Sequence, residues 1–358
     1  TPEERTTNYT YDANRNITSI TTTNNPQSTT TTFAYDNVGN VISSTDPLEN
    51  QTTFAYDLIG NKDSETNALG QTTTYEYDIE GNITKIIRPD DLIEKFEYNT
   101  NNQIIKSTDK QGNVTTFKYD SFGNLVEQAD ALNNKTTYQY NVANQLIFSE
   151  SPVSAIIKYT YDTFGNRTST TGPVGNVISY IYGEGNAFYN QVSTINYPTY
   201  KQTLTYNNMQ RVTKSVKSAE SVDSTSLTSY DSVGNIIEFI DARGLVTKCT
   251  YNSLNQLISV SSESSLVKRT YDTNGNLLSE TDPNGNVVTM EYDFNNNLTK
   301  QTNIYGQSTT YTYDKLNRLV ELVSLIDNMK VVSVYDTAGN IEKQQIYNGA
   351  TLAKTITN

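Results

Sequence analysis

Apolar and polar residues alternate along most of this chain in runs of about six residues, and Asn, Asp, Gly and Pro separate the runs. The runs from Val41 to Thr45 and from Gln51 to Tyr56 are typical. A strand places successive side chains on opposite faces, so each run predicts a β-strand. Thr and Tyr favour strands and good helix formers are scarce, so the chain is predicted to be all-β.

A tyrosine followed by Asp or a similar residue marks an internal repeat. Seven consecutive steps, from Tyr35 to Tyr182, are each 21 residues long, and the other steps range from 20 to 24 residues. Self-similarity at a fixed period is the sequence signature of a repeat architecture. The sixteen repeat tyrosines are Tyr11, Tyr35, Tyr56, Tyr77, Tyr98, Tyr119, Tyr140, Tyr161, Tyr182, Tyr206, Tyr230, Tyr251, Tyr271, Tyr292, Tyr313 and Tyr335.

The residues after each tyrosine predict a tight turn. Asp follows in eleven copies and Asn in four, and both side chains fold back onto nearby backbone N–H groups. Four residues after the tyrosine stands Gly in eight copies and Asn in six, which are the residue types that tolerate positive φ, so this position is predicted to close a hairpin. The candidate structural residues of the repeat are Tyr35, Asp36, Gly39, Tyr56, Asp57, Gly60, Tyr77, Asp78, Gly81, Tyr119, Asp120, Gly123, Tyr161, Asp162, Gly165, Tyr271, Asp272 and Gly275.

A second turn signal lies half a repeat further on, as in Asp46-Pro47 and Asp282-Pro283-Asn284-Gly285. Each repeat therefore supplies one β-hairpin. Two residues before the tyrosine the position is aromatic in ten copies, for example at Phe54. Residues two apart share a strand face, so an aromatic ladder is predicted on the tyrosine side of the sheet.

Sixteen repeats of two strands give about 32 strands, which in one flat sheet would extend on the order of 150 Å. Open twisted sheets rarely pass about ten strands without curling. The prediction is therefore one array over residues 1–358, a continuous antiparallel sheet curled into a spiral, hollow shell or tube segment. A β-solenoid and a β-propeller are the alternatives, although a propeller needs a period of about 40 residues. Three stretches are set apart: an N-terminal flank (1–10), irregular repeats or an insertion (182–229), and a C-terminal tail (348–358).

The composition of the chain agrees with a sheet that is only one layer thick. Only 35% of the 358 residues are hydrophobic, whereas 53 are Thr and 43 are Asn. A sheet one layer thick has two large faces and no conventional core, so few apolar residues are required. The single cysteine, Cys249, occupies an aromatic position of the repeat and is predicted to pack in the wall.

The same composition excludes several classes of function. The chain has no His, which removes Ser-His-Asp catalysis and most zinc sites. The net charge of −13 argues against nucleic acids as partners, and no run approaches the length of about 18 apolar residues that a membrane span needs. Asp90-Asp91 is predicted to be a solvated turn, and the repeated turn Asp residues are predicted to cap backbone groups rather than to bind Ca²⁺. No catalytic residue, cofactor or metal site is predicted.

The unit Tyr-Asp-x-x-Gly-Asn, followed by Asp-x-x-Gly and a Thr-rich strand, as in Tyr271 to Tyr292, resembles the YD repeat. This repeat occurs in Rhs proteins, the shell subunits of insecticidal toxin complexes, bacterial wall-associated proteins and teneurins. The resemblance extends from about Tyr9 to Tyr347 and implies hairpins wound into a hollow cocoon. In the bacterial toxins the cocoon encloses a toxic polypeptide, and in teneurins the shell is an adhesive ectodomain. Such shells are several times longer, and here the Asp282-Pro283-Asn284-Gly285 element lies at an ordinary second turn.

The resemblance implies a non-catalytic structural protein, secreted or at the cell surface, that encapsulates a passenger polypeptide. The alternative is an extracellular adhesin, or a filament that grows by pairing of edge strands. The partners expected are an encapsulated polypeptide, further YD repeats, a second copy of the chain, or a cell-surface glycan or protein. Residues 1–5 lack a signal-peptide pattern and an initiator Met, which indicates a processed product or an excised piece.

Overall fold

The computed structural model describes residues 5–24, 27–183, 190–220 and 222–357, and the regular elements in these ranges are 33 β-strands. The first are β1 (Arg5–Tyr11), β2 (Ile17–Asn24), β3 (Gln27–Tyr35), β4 (Val41–Thr45), β5 (Gln51–Tyr56), β6 (Lys62–Thr66), β7 (Thr72–Tyr77), β8 (Ile83–Ile87), β9 (Ile93–Tyr98), β10 (Ile104–Thr108) and β11 (Val114–Tyr119). Then follow β12 (Leu125–Ala129), β13 (Lys135–Tyr140), β14 (Leu146–Glu150), β15 (Ile156–Tyr161), β16 (Arg167–Thr171), β17 (Val177–Tyr182), β18 (Val192–Asn196), β19 (Lys201–Tyr206), β20 (Val212–Ala219), β21 (Val222–Tyr230) and β22 (Ile236–Ile240). The last are β23 (Val246–Tyr251), β24 (Leu257–Ser262), β25 (Ser265–Tyr271), β26 (Leu277–Thr281), β27 (Val287–Tyr292), β28 (Leu298–Thr302), β29 (Ser308–Tyr313), β30 (Leu319–Ser324), β31 (Met329–Tyr335), β32 (Ile341–Asn348) and β33 (Thr351–Thr357).

The strands belong to one antiparallel sheet in which neighbours in sequence are neighbours in space. Strands β4 and β5 have the bounds predicted from the sequence. The antiparallel pairing confirms the hairpin array and excludes a parallel β-solenoid. Strands β1 and β33 extend the sheet into the stretches that the sequence sets apart as flank and tail, since β1 pairs with β2 and β33 with β32.

The chain divides into two compact units. Unit 1 comprises Thr1–Glu94, Tyr251–Ser259 and Leu266–Asn358, and unit 2 comprises Lys95–Thr250 and Val260–Ser265. Unit 1 therefore brings an early and a late part of the array together. Unit 2 is one almost uninterrupted run of hairpins.

The two faces of the sheet differ in burial. Along β5, Phe54 and Tyr56 are half-buried whereas Ala55 between them is exposed. The face that bears the repeat tyrosines, the tyrosine face, also bears the aromatic residues two positions earlier, as predicted. The opposite face, the charged face, carries cross-strand ion pairs such as Glu76–Lys85 at 2.7 Å and Glu97–Lys106 at 2.6 Å.

The described residues form no conventional hydrophobic core. Ala129, at 5% exposure, is the buried apolar residue among them, and none of their large side chains is fully buried. Strand pairing and the half-buried tyrosine face must therefore supply most of the stability, repeat by repeat, as in other arrays with nearest-neighbour contacts.

Strand length increases within the irregular stretch 182–229. Strands β20 and β21 have eight and nine residues, compared with five and six in β4 and β5. The stacked rings of Tyr197 and Tyr200, 4.3 Å apart, lie in the turn between β18 and β19. Part of the stretch, including the turn residue Asn186, lies outside the described residues.

Candidate functional site: two rows of turns

Antiparallel hairpins place their turns alternately at the two ends of the strands, so each unit has two rows of turns. The first turns follow the repeat tyrosines and begin at Asp12, Asp36, Asp57, Asp78, Asn99, Asp120, Asn141, Asp162, Asn207, Asp231, Asn252, Asp272, Asp293, Asp314 and Asp336. The second turns, half a repeat further on, begin at Asp46, Asn67, Arg88, Asp109, Asp130, Ser151, Gly172, Asp241, Asp282 and Asn303.

The turn that begins at Asp120 shows the common geometry. The Gly123 N–H donates to the Asp120 carbonyl at 3.1 Å, and the Asp120 N–H donates to the Asn124 carbonyl at 2.9 Å. The strand register shifts between Lys118 and Tyr119. A three-residue loop with a positive-φ residue and a bulge is a common hairpin connection, and it requires positive φ at the fourth residue of the turn, a conformation that Gly adopts most readily.

The Asp side chain holds this turn closed. Asp120 Oδ1 accepts hydrogen bonds from the N–H groups of Phe122 and Asn124, each at 2.9 Å, and Oδ2 accepts one from Asn124 Nδ2 at 2.9 Å. The Asn124 side chain, together with these backbone donors, holds the pKa of Asp120 below its ordinary value against the opposing effect of desolvation. The carboxylate is thus ionised and fully engaged at neutral pH.

A turn that begins with Asn uses a different partner four residues later. The Nδ2 group of the first Asn is a hydrogen-bond donor, whereas the Oδ2 atom of an Asp in this place is an acceptor. The residue four positions later must therefore offer an acceptor, and the Gln side chain is long enough for its Oε1 atom to reach the Asn Nδ2. The pairs, with Nδ2–Oε1 distances between 2.5 and 3.1 Å, are Asn67–Gln71, Asn99–Gln103, Asn141–Gln145, Asn252–Gln256 and Asn303–Gln307. This pairing is not among the features predicted above, although the sequence carries a signal for it, because the two residue types change together from repeat to repeat.

The predicted positive φ four residues after the tyrosine is confirmed throughout the described copies. The values lie between 58° at Asn144 and 111° at Gly234. Arg15 and Gln210, the two copies with neither Gly nor Asn, also have positive φ, at 70° and 63°. Backbone geometry at this position is therefore stricter than residue type.

Side chains of the first turns also connect one repeat to the next. Gln103 Nε2 donates to the Gly123 carbonyl at 2.9 Å, and Gln145 Nε2 donates to the Gly165 carbonyl at 3.1 Å. Where both residues are Asn, the amide of one donates to the amide oxygen of the next. These links are Asn124–Asn144 at 3.0 Å, Asn276–Asn296 at 2.7 Å and Asn297–Asn317 at 2.7 Å.

These links account for the choice of Gly at some of the fourth positions, namely those that follow a Gln in the preceding turn. A Cβ added at Gly123 would lie 3.2 Å from Gln103 Nε2, and one at Gly165 would lie 3.1 Å from Gln145 Nε2. A Gln in the preceding turn therefore favours Gly at the fourth position, because the Gln side chain occupies the space that a side chain at this position would need. Each Asn at this position follows an Asn in the preceding turn, in the sequence pairs 82/102, 124/144, 166/186, 235/255, 276/296 and 297/317.

The repeat tyrosines tie each hairpin to the one before it. The Tyr119 hydroxyl donates to the Ile104 carbonyl at 2.9 Å, at the start of the second strand of the preceding repeat. Burial raises the pKa of hydroxyls in this position, as at Tyr140 and Tyr292. The same bond, at 2.8 to 3.1 Å, is made by Tyr35, Tyr56, Tyr77, Tyr140, Tyr161, Tyr182, Tyr206, Tyr230, Tyr271, Tyr292, Tyr313 and Tyr335.

The candidate residues named from the sequence occupy equivalent places in their turns. Each Asp accepts hydrogen bonds from the Asn four residues later, each Gly has positive φ, and each tyrosine hydroxyl donates to the preceding repeat. The three places are filled by Tyr35, Asp36 and Gly39, and likewise at 56, 57 and 60, 77, 78 and 81, 119, 120 and 123, 161, 162 and 165, and 271, 272 and 275.

The other chemistry-bearing residues singled out from the sequence are the Asp90-Asp91 pair and Cys249. In the described ranges, no group of three or more His, Cys, Asp and Glu residues could hold a metal ion, and no helix is long and apolar enough to cross a membrane. Asp90 accepts a hydrogen bond from the Leu92 N–H at 3.3 Å, and Asp91 has the positive φ of a second turn. Cys249 is half-buried in β23 on the tyrosine face.

Within unit 1 a first turn meets a second turn that is distant in sequence. Asn295 Nδ2, in the first turn after β27, donates to Asp46 Oδ2, in the second turn after β4, at 2.7 Å. The apolar residue at the centre of each of these turns is only partly exposed, Leu48 at 39% and Phe294 at 46%. The two kinds of turn can therefore pack against each other.

The sequence matches a family model described as Teneurin YD-shell over residues 48–195, and a model described as RHS Repeat over residues 271–304 and 295–324. Within these ranges the hairpins are of the YD-shell and RHS repeat type. The hydrogen bond from the tyrosine hydroxyl to a carbonyl and the Asp–Asn turn are the interactions that recur in this repeat. The chain is a structural repeat protein of the shell type. No curated protein matches the sequence significantly.

Solved structures share the fold of this YD array. The crystal structure of TcdB2-TccC3-TEV matches with a TM-score of 0.69 at 14% identity, over 96% of this chain and 22% of that chain. The Photorhabdus luminescens Tc holotoxin pore with a mutated TccC3 matches with a TM-score of 0.67 at 13% identity, over 99% of this chain and 26% of that one. The YD array thus spans about a quarter of the length of these structures.

Proposed function

We propose that this YD array is a non-catalytic wall segment of a secreted or cell-surface shell that encloses a passenger polypeptide. The observation that supports this most is the likeness to the TcdB2-TccC3 structures over 96% of the chain. Identity at this level concerns the fold, so the proposal of an enclosed passenger rests on the physical properties of the wall.

The wall has the properties that containment requires. Paired strands lie about 4.8 Å apart with their backbone groups bonded to one another, which leaves no opening for a protease or a partner protein. The tyrosine hydroxyls and the first-turn amides couple each hairpin to the next, so local opening requires several bonds to break together. A passenger polypeptide would lie against the tyrosine face.

The turn carboxylates support a structural role rather than catalysis. General acid–base groups work best with a pKa near the operating pH. Hydrogen bonds from Asn113 and Asn124 instead lower the pKa of Asp109 and Asp120. The partners of the wall are, on this proposal, an encapsulated polypeptide, further YD repeats of a longer shell and other components of a toxin complex.

A cross-linking experiment tests which face meets the passenger. An unstructured Gly- and Ser-rich polypeptide is fused after residue 358, and a photoreactive benzoylphenylalanine replaces either Phe117 or Thr116. Phe117 is half-buried on the tyrosine face, and its neighbour Thr116 is exposed on the charged face. Illumination is expected to trap the fused polypeptide mainly from position 117.

The two positions are adjacent in one strand, so the distance along the chain to the fused polypeptide is matched. Equal trapping from both positions, or more from 116, would contradict the proposal. Mass spectrometry of the cross-linked product identifies the attachment site in either case. A circular dichroism spectrum unchanged from that of the parent chain shows that both variants are folded.

A filament or adhesin is the second candidate function, and the pairing of the first and last described strands favours it. In the part of the chain that the structure describes, β1 pairs with β2 and β33 pairs with β32. A terminal strand presents unpaired backbone groups to another chain. Electron microscopy of the purified chain distinguishes the two functions, because edge pairing between copies produces filaments whereas a wall segment produces curved, separate particles.

A further inference from the structure

Unit 2 presents two rows of uncovered apolar turn tips. The tips are the central residues of the turns between β11 and β17, and their exposure lies between 78% and 107%. Exposed apolar groups in such an ordered series indicate an interaction surface. The first-turn tips are Phe122, Val142 and Phe164, and the second-turn tips are Leu132, Val153 and Val174.

Some equivalent tips of unit 1 are much less exposed, although others, such as Val38 at 83% and Ile79 at 94%, are not. Leu48 and Leu69 are second-turn tips at 39% and 40% exposure, and Phe294 is a first-turn tip at 46%, about half the exposure of the unit 2 tips. They belong to the rows that the hydrogen bond from Asn295 to Asp46 brings together. A second-turn row is thus already matched with a first-turn row inside this molecule.

One groove between neighbouring first turns has room for such a tip. It lies in unit 1 between the turns at residues 36–40 and 57–61, has a volume of about 420 Å³, and is lined by Val38, Ile42, Leu58 and Ile59 together with polar groups that include Asp36 and Asp57. Adjacent turns of one row are two strands apart, about 9.6 Å, in both rows. Tips of one row can therefore enter the grooves of another row in series.

We propose that the second-turn row of unit 2 in one copy of this chain docks on the first-turn row of unit 2 in a second copy. The central residues of these turns are Ser121-Phe122, Val142-Ala143 and Thr163-Phe164 in one row, and Ala131-Leu132, Pro152-Val153 and Pro173-Val174 in the other. None of them is charged, so the net charge of −13 does not place like charges between the tips. The contact is head-to-tail, and each docked copy leaves a free row for the next.

Two blocked variants test this arrangement. Phe122→Asp with Phe164→Asp blocks the first-turn row, and Leu132→Asp with Val174→Asp blocks the second-turn row. Because the tips are exposed, these changes are expected to leave the fold intact, which thermal unfolding checks. In analytical ultracentrifugation the parent chain is expected to associate with increasing concentration, and each blocked variant alone is expected to associate at least about tenfold more weakly.

The mixture of the two variants gives the sharpest result. Each variant retains the row that the other has lost, so an equimolar mixture is expected to form a 1:1 dimer and nothing larger. A control with the same added charge, Thr116→Asp with Gln139→Asp on the charged face, is expected to associate like the parent chain. A parent chain that stays monomeric overturns the proposal, as does a mixture that forms no dimer. Association that persists in both blocked variants assigns the contact to the edge strands and also overturns it.

Discussion

The two rows of turns are built on the same backbone, but among the described residues the hydrogen bonds between neighbouring turns of one row are made in the first-turn row. In the second turn at Asp130, Oδ1 accepts from the N–H groups of Leu132 and Asn134, and Oδ2 accepts from Asn134 Nδ2, as in the first turn at Asp120. The first turns add a tyrosine hydroxyl and an amide arm that reach the neighbouring hairpin. The first-turn row therefore couples each repeat to the next, whereas the second turn at Asp130 closes its own hairpin.

This difference explains which residues of the repeat vary. Second turns begin with Arg88, Ser151 or Gly172 as well as with Asp and Asn, yet Ser154 and Gly175 keep positive φ at 57° and 81°. A hairpin needs only that backbone conformation. All the described first turns begin with Asp or Asn, because that residue fixes the partner from which the link to the next turn extends.

Acid is expected to produce the largest effect, and it should act equally on both rows. Asp residues with a lowered pKa bind fewer protons in the folded chain than in the unfolded chain, so unfolding free energy rises with pH through this range. The stabilisation is complete above the ordinary Asp pKa of about 3.9 and is lost as pH falls through the lowered values. Thermal unfolding between pH 7 and pH 2 should show a steep decrease in Tm below about pH 4. The turn residues whose pKa is lowered chiefly by the Asn four positions later are Asp12, Asp78, Asp109, Asp120, Asp130, Asp162 and Asp282.

Replacement of the Asp–Asn pair of one turn by an uncharged Asn–Gln pair tests whether acid acts equally on the two rows. Asp120→Asn with Asn124→Gln reproduces the residues of the Asn99 turn, and Asp130→Asn with Asn134→Gln does the same in a second turn. Each double variant should flatten the acid dependence of Tm by a similar amount. A much larger change for the first-turn variant would show that the rows differ in the hydrogen bonds of the Asp carboxylate, and not only in the hydrogen bonds between neighbouring turns.

Substitution of the positive-φ glycine should give the clearest difference in stability between a first turn and a second turn. Gly123→Ala is expected to lower the free energy of unfolding by about 2 kcal/mol, and Gly112→Ala, in a second turn, by about 1 kcal/mol. Both positions have φ near +85°, but a Cβ at Gly123 would contact Gln103 Nε2 at 3.2 Å, whereas one at Gly112 has no neighbour within 4 Å. Denaturant unfolding measures both values. Equal losses would mean that the amide arm does not constrain the first turn.

Removal of one tyrosine hydroxyl tests the other link. Tyr119→Phe deletes the hydrogen bond to the Ile104 carbonyl while it retains the ring, so a loss of about 1 kcal/mol is expected from denaturant unfolding. Tyr305, an 81% exposed tip of a second turn, is the matched control, and Tyr305→Phe should change the stability by only a few tenths of a kcal/mol. Similar losses at the two positions would contradict a coupling role for the repeat tyrosines.

Most of the fold could be predicted from the sequence, because strand and turn chemistry act locally. The strand bounds at Val41–Thr45 and Gln51–Tyr56 follow from alternation and turn residues alone. The destination of the Tyr119 hydroxyl could not be predicted, because alternation gives the face of a side chain but not the carbonyl that it reaches. The contact between Asn295 and Asp46 also could not be predicted, since it depends on how far the sheet curls over 249 residues.

The amide arm itself should give the smallest difference between the rows. Gln145→Asn shortens the side chain that accepts from Asn141 Nδ2 and donates to the Gly165 carbonyl. Gln71→Asn in a second turn disturbs the bond with Asn67. The excess loss at Gln145, about 0.5 kcal/mol, measures one link between repeats. Because the link joins two hairpins, Gln145→Asn should also speed amide hydrogen exchange in the neighbouring turn at Gly165, whereas Gln71→Asn should affect only its own turn. If the rate of amide hydrogen exchange changes only within the mutated turn in both variants, the Gln side chains do not couple the stability of neighbouring hairpins.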